Sequence, residues 1–134
     1  MKKEKHWLSP ARFGRIFRYT PRLVIDFVIV AQGERKGRSF LLGRRRNRPY
    51  RGKWFLIGGG ILYGESMKCA ARRILKRELG IKMGLMPPFL FCDSRILPPN
   101  DWGVWTHVFS CVYVVVIPKS TILRLNRENS EVKW

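Results

Sequence analysis

The stretch between residues 58 and 81 constrains the fold more than any other, because a run of glycines leads directly into a periodic helix pattern. Three glycines at residues 58–60 follow a short apolar strand pattern, and their missing Cβ atoms let backbone atoms approach an ion or a phosphate. After Glu65, apolar residues recur with a period of about 3.6, which predicts an amphipathic helix over residues 66–79 that stops at Gly80. The sequence therefore predicts a glycine loop and a helix packed on a core.

One carboxylate interrupts the apolar stripe of this helix. With residues placed about 100° apart, Glu78 falls in the same sector as Met67, Ala71 and Ile74. A carboxylate there loses much hydration free energy unless an arginine or a metal ion faces it. The alternative is that the last helical turn frays and the side chain reaches water. The glycines and Glu65 lie close to the same region, which favours a binding site.

The spacing of six residues forms a recognisable motif: Gly, five residues, Glu, seven residues, Arg, then a Glu-rich turn closing on Gly and an aliphatic residue. These residues are Gly59, Glu65, Arg73, Glu78, Gly80 and Ile81. The stretch resembles the sequence box of the Nudix hydrolase superfamily, and the similarity covers most of the chain. The usual box has glutamates at all three positions that here read Ile74, Arg77 and Glu78. The missing acids argue against chemistry with several cations, and leave either an altered single-metal reaction or a protein that no longer catalyses.

Further motifs resemble one Nudix branch, the GDP-mannose mannosyl hydrolases, which lacks the same acids. They lie at residues 19–21, 25–27, 40–43, 45, 47–49 and 52–55, with Trp7, Leu8 and Phe13 near the N-terminus. The resemblance implies the α/β (α+β) class, as a Nudix-type α/β/α sandwich with a mixed β-sheet. It also implies a Mg²⁺-dependent reaction in which water attacks the sugar carbon of a nucleotide sugar, releasing a nucleoside diphosphate and a free hexose. One Mg²⁺ ion and arginines stabilise the leaving group while a base activates water.

The same resemblance assigns roles by position. The metal ligands are the Gly58 carbonyl and the carboxylates of Glu78 and Glu128, and Arg45 contacts the diphosphate. The catalytic candidates are Asp26, Arg45, Glu65, Arg73, Glu78 and Glu128, and the substrate-binding candidates are Trp7, Leu8, Arg45 and His107. Asp26 interrupts an apolar strand pattern, for which a buried pairing with an arginine is an equal alternative to a site role.

Three positions depart from this branch. Its second diphosphate arginine is Gly60 here, its metal-binding Gln is Glu128, and its catalytic His is Asn129. Glu128 is still an oxygen ligand, whereas the amide of Asn129 cannot act as a base. Glu128, Glu131 or His107 would then have to activate the water, although a histidine just before a strand is more often structural.

The rest of the chain carries mainly strand patterns. The sequence predicts a helix at residues 12–18, strands at residues 23–31, 39–44, 54–57, 89–91 and 108–117, and a short polar remainder over residues 123–134. Residues 23–31 are too apolar for an exposed edge strand. This order predicts one domain over residues 1–134, with a mixed sheet and at least one packed helix. Residues 1–20 are expected to form a helical segment for dimer or substrate contacts, and the resemblance implies a homodimer.

Composition limits the environment and the partners. The 27 Lys and Arg residues against 9 Asp and Glu give a net charge of +18, which attracts polyanions. Three cysteines lack the spacing of a disulfide framework or a zinc site. No apolar run is long enough for a membrane helix or a signal peptide, so the sequence predicts a cytoplasmic protein without a membrane partner.

Two alternatives to the nucleotide-sugar hydrolase stay open. One is a pyrophosphohydrolase of nucleoside diphosphate derivatives, which would release a nucleoside monophosphate. The other is a catalytically weak Nudix fold that binds RNA or DNA. Its contacts would come from the arginines of residues 44–51 and the neighbouring rings of Tyr50 and Trp54.

Overall fold

The computed structural model describes residues 8–33 and 39–134, which form a seven-stranded sheet with two helices. The elements in chain order are α1 (Pro10–Phe17), β1 (Arg22–Ala31), β2 (Phe40–Arg45), β3 (Trp54–Phe55), β4 (Ile57–Gly60), α2 (Met67–Leu79), β5 (Phe89–Leu97), β6 (Thr106–Ile117) and β7 (Asn129–Lys133). The main path of the sheet runs β3, β2, β1, β6, β5, while β4 pairs with β1 and β7 pairs with β2. The expected α+β class and mixed sheet are confirmed.

Strand β1 lies at the centre of the sheet because it is largely apolar on both faces. It pairs antiparallel with β2 and β4, and parallel with β6 along its whole length. Ile25, Phe27 and Ile29 are fully buried in the core that also contains α2. The prediction that this run is not an exposed edge strand is therefore confirmed.

The glycine run belongs to a strand rather than to a loop. The sequence predicts one strand over residues 54–57, but the chain changes partner at Leu56, so that β3 pairs with β2 and β4 pairs with β1. The predicted glycine loop is wrong for this reason. Glycines suit this strand because the side chains of Asp26 and Arg22 occupy space that two of the missing Cβ atoms would need.

Helix α2 packs its apolar stripe against the sheet. The Ser66 hydroxyl caps the helix by accepting from the Cys69 amide at 3.2 Å, and Gly80 ends it in the left-handed conformation. The buried residues of α2 are Ala70, Ala71, Ile74, Leu75, Glu78 and Leu79. The predicted helix and its apolar stripe are confirmed, including the carboxylate within the stripe.

The C-terminal segment contains a strand that its polar sequence does not predict. Strand β7 pairs antiparallel with β2, and Val132 and Trp134 pack against the core. Asn129 begins β7 opposite Arg45, so this pairing brings the residues before β7 to the end of β2. The interpretation of residues 123–134 as only a polar remainder is wrong, because their pairing partner is distant in sequence.

Helix α1 confirms the helix expected at residues 12–18, but not all of its apolar side chains are buried. Phe13 is buried against the rings of Phe17 and Trp102, whereas Ile16 remains 44% exposed. Neither of the two described helices is long and apolar enough to cross a membrane.

Candidate active site

Glu78 is buried in α2 and faces an arginine. The residue is only 1% exposed, its Oε1 accepts from Arg77 Nε at 2.8 Å, and Arg77 Nη2 lies 2.6 Å from the same oxygen. Its other oxygen, Oε2, is buried and has no hydrogen-bond partner among the described residues. The frayed-helix interpretation is therefore wrong. A cation faces the carboxylate, but it satisfies only one of the two oxygens.

A second carboxylate, Glu128, contacts the same arginine. The Nη2 atom of Arg77 lies 3.7 Å from Glu128 Oε1, and the Glu128 side chain is 47% exposed. Burial raises the pKa of Glu78, and the negative charge of Glu128 raises it further, while Arg77 and the Asn126 side chain oppose the shift. The two carboxylates share one cation, and a further positive charge would stabilise both.

This donor set fits one hard divalent cation. Carboxylate and carbonyl oxygens are the ligands that Mg²⁺ prefers, and the partnerless Oε2 atom of Glu78 is such an oxygen near a second acid, Glu128. Gly58, the third expected ligand, lies in β4 opposite Asp26. Within residues 8–33 and 39–134, no group of three or more His, Cys, Asp or Glu residues could hold a metal ion. Two carboxylates and a backbone carbonyl are oxygen donors of the kind that a divalent cation takes.

Glu65 and Arg73 form an ion pair that fastens the end of β4 to α2. Arg73 donates from Nε to Glu65 Oε1 at 2.6 Å and from Nη2 to Glu65 Oε2 at 3.0 Å. The same Nη2 atom donates to the Gly60 carbonyl at 2.7 Å, and Glu65 Oε2 also accepts from the Leu62 amide. These contacts favour a positioning role for both residues, and the catalytic roles expected for them stay predictions.

Asp26 pairs with an arginine, as one of the two sequence interpretations predicts. Its Oδ2 accepts from the Ser110 hydroxyl at 2.5 Å and lies 3.3 Å from Arg95 Nη2, while Oδ1 lies against Gly58. Burial raises the pKa of Asp26, and the hydrogen bond from Ser110 and the charge of Arg95 oppose this. The contact with Gly58 also places Asp26 beside an expected metal ligand, so the two interpretations are compatible.

Arg45 lies at the end of β2, where the basic loop begins. Its Nε donates to the Pro49 carbonyl at 2.9 Å, and its guanidinium lies over the Phe55 ring, 5.8 Å from the centroid. The charge of Arg45 acts on the pKa values of both Asp26 and Arg22, which indicates that it lies near the paired strands β1 and β4. This position is compatible with the expected contact to a diphosphate.

His107 is not placed with Asp26. It is exposed on β6, and its Nε2 forms a hydrogen bond with the Ser94 hydroxyl at 2.8 Å. Because side chains alternate along a strand, His107 lies on the face of Val115, opposite the face on which Ser110 contacts Asp26. Its expected roles in substrate binding and water activation stay predictions.

The remaining candidates lie at the edges of the site or beyond the described residues. Trp7 is outside the described residues, and Leu8 is partly buried just before α1. Glu131 pairs with Arg44 at 2.9 Å, so this possible base is already engaged. Asn129 is buried where β7 meets β2.

Sequence reasoning misses three residues near this site. Arg77 binds Glu78, Asn126 lies beside the same carboxylate, and the Arg22 guanidinium lies against Gly60. Arg77 had a signal in the sequence, because it replaces an acid of the motif directly beside the misplaced glutamate. Asn126 and Arg22 had none, since distant strands bring them here.

Comparison with known proteins agrees with this fold. The family model described as "NUDIX domain" matches residues 21–134. The chain is similar to the structure of a MutT/nudix family protein from Enterococcus faecalis, with a TM-score of 0.70, 26% identity, and coverage of 95% of this chain and 51% of that one. It is also similar to the MutT protein from Methanosarcina mazei Go1, with a TM-score of 0.68, 26% identity, and coverage of 87% and 78%.

A curated relative is similar over a shorter stretch. The chain is 38% identical over 61 residues to the low-salt glycan biosynthesis protein Agl8 of Haloferax volcanii. The match covers 46% of this chain and 36% of that protein, so it spans less than half the length of either.

Proposed function

This chain belongs to the Nudix family, and on that premise we propose that it is a hydrolase that uses one divalent metal ion and acts on a GDP-mannose-like nucleotide sugar. The products would be a nucleoside diphosphate and a free hexose. The observation that carries the proposal is the small acid set: Glu78 and Glu128 share Arg77, and the described residues form no larger metal-binding group.

A small acid set suits attack at the sugar carbon better than attack at phosphorus. Attack at phosphorus needs cations around both the incoming water and the phosphoryl group. Attack at the sugar carbon needs a cation mainly at the departing diphosphate, whose charge it stabilises, while a base takes the proton of the attacking water. A bound Mg²⁺ ion would supply that stabilisation, held by Glu78 Oε2, the Glu128 carboxylate and the Gly58 carbonyl.

The described side chains prepare this site in three ways. Arg77 holds Glu78 Oε1 through a hydrogen bond and an ion-pair contact, which orients the buried carboxylate and leaves Oε2 for ligation, although its positive charge opposes a metal ion there. Arg73, held by Glu65, binds the Gly60 carbonyl and so fixes the end of the glycine strand. Arg45 would contact the diphosphate, because guanidinium groups match the geometry of phosphate oxygens.

The sugar half of the proposal is supported by two similarities. One is the resemblance of the strand and loop motifs to the GDP-mannose mannosyl hydrolases. The other is the partial match to a protein named for glycan biosynthesis. The homodimer implied by the resemblance is also part of the proposal, and light scattering of the purified protein would test it.

The basic loop of residues 44–51 gives little support to the nucleic-acid alternative. Arg44 pairs with Glu131 at 2.9 Å, and Arg51 pairs with Asp101 at 2.7 Å. These two ion pairs neutralise arginine charge that would otherwise be available to bind the phosphates of a nucleic acid.

Incubation with a panel of nucleotide sugars, with Mg²⁺ or Mn²⁺ and product identification by mass, tests the proposal. We expect a nucleoside diphosphate and free hexose, with turnover lost in Glu78→Gln and kept in the control Asp101→Asn. A nucleoside monophosphate would instead indicate a pyrophosphohydrolase. Absence of turnover together with RNA binding that weakens steeply with salt would exclude the enzyme.

A further inference from the structure

Arg22, the first residue of β1, holds its guanidinium in an unusual position. It lies over the rings of Phe13 and Phe17 in α1, with Cζ 5.4 and 6.0 Å from the two ring centroids. Such cation–π contacts stabilise an arginine but leave its N–H groups, which lie in the guanidinium plane, without acceptors. Phe13 and Phe17 therefore form a platform for a cation.

The glycine at position 60 makes room for this guanidinium. A Cβ atom built on Gly60 would lie 2.5 Å from Arg22 Nη2, 2.9 Å from Nε and 3.0 Å from Cζ. Any larger residue at this position would displace the arginine. Gly60 is also the position at which the resembling branch carries its second diphosphate arginine, so the two arginines would occupy overlapping space from different strands.

The charges around Arg22 are those of the proposed site. Burial lowers the pKa of Arg22, the charge of Glu128 raises it, and the charges of Arg77, Arg45 and Arg73 lower it. Among the described residues, no ion pair or side-chain hydrogen bond engages the Arg22 guanidinium. A partly buried cation among other cations, without an acceptor, is stabilised when an anion binds.

We propose that Arg22 is a phosphate-binding residue, which holds the diphosphate of the substrate from the space that Gly60 leaves open. This inference rests on the proposed function for the identity of the anion. Arg22 and Arg45 would bind the diphosphate together, while Glu78 and Glu128 hold the metal ion. A purely structural role, in which Arg22 only attaches α1 to the sheet, is the competing explanation.

Calorimetric titration of the full chain with GDP and with inorganic pyrophosphate, with Mg²⁺ and separately with a chelator, tests this. Arg22→Gln should weaken binding about tenfold or more in both conditions, and Arg22→Lys should weaken it less. The control Arg15→Gln removes the same charge from an exposed position on α1 and should bind like the wild type. Equal binding by Arg22→Gln and Arg15→Gln would overturn the inference.

Gly60→Ala keeps the charge but pushes the guanidinium from its place, so it should also weaken binding. This variant decides the question if Arg22→Gln does not fold: wild-type affinity in folded Gly60→Ala would overturn the inference. The proposed function fails separately. If binding depends on Arg22 but no nucleotide sugar is hydrolysed, the role of Arg22 stands and the proposed hydrolase function is refuted. If the wild type binds neither GDP nor pyrophosphate, both the role of Arg22 and the proposed function are refuted.

Discussion

Arg73→Ala removes the arginine that joins three parts of the site. Its guanidinium donates to both oxygens of Glu65, at 2.6 and 3.0 Å, and to the Gly60 carbonyl at 2.7 Å. The side chains of Arg73 and Glu65 are 25% and 18% exposed, so water does not readily replace these contacts. After the substitution, the Glu65 carboxylate would lose both hydrogen bonds from Arg73 and keep the one from the Leu62 amide.

The size of the effect follows from this geometry. Removing one partner of a buried ion pair costs about 3–5 kcal/mol, and the partial exposure of this pair lowers the expected loss to about 2–4 kcal/mol. A single domain is stable by about 5–15 kcal/mol, so the variant should still fold. In urea unfolding followed by circular dichroism, the midpoint should fall while the slope of unfolding free energy against urea stays unchanged.

The matched control is Arg72→Ala. Arg72 precedes Arg73 in the same helix, but it is exposed, and its Nη2 donates to the Gly84 carbonyl at 2.6 Å. Its loss should cost under about 1 kcal/mol. If both variants lose the same small stability while only Arg73→Ala loses turnover, the positioning role is refuted and the catalytic role is favoured.

Two further predictions concern charge. Arg77→Ala removes the positive charge that competes with a metal ion for Glu78. Calorimetry should therefore show Mg²⁺ or Mn²⁺ binding roughly tenfold more tightly than in the wild type. Unchanged or weaker metal binding would show that Arg77 does not compete. Asp26 has a raised pKa, so the folded state keeps a proton that the unfolded chain has lost, and the stability of the wild type falls as pH rises from the usual Asp pKa to the raised one. Asp26→Asn mimics the protonated form. As the pH rises above the usual Asp pKa, it should become more stable in urea relative to the wild type, unlike Asp101→Asn, and an equal pH dependence of Asp26→Asn and the wild type would contradict this.

The sequence predicts elements whose side chains follow a local pattern. The strand β1 and the helix α2 are found because their apolar residues recur with the period of each structure. Glu78 is found for the same reason, since a carboxylate in an apolar stripe breaks the pattern visibly. The pattern does not decide between an arginine and a metal ion as its partner, and in the structure Arg77 is the protein partner of one oxygen.

Elements that depend on distant pairing are missed. Glycines have no side-chain period, so nothing local shows that β4 continues through Gly60. Strand β7 is mostly polar, and its pairing with the distant strand β2 has no local signal in the sequence. Arg22 looks like any charged residue at a strand end, and its place near the site depends on the pairing of β1 with β4 and on the packing of α1.

Single-turnover hydrolysis of GDP-mannose in water enriched in heavy oxygen tests the central claim most directly. If one cation on Glu78 and Glu128 stabilises a departing diphosphate, the heavy oxygen should appear in the free hexose and not in the nucleotide. A chelator or Glu78→Gln should abolish this incorporation. Heavy oxygen in a phosphate group, or full incorporation by Glu78→Gln, would contradict the claim.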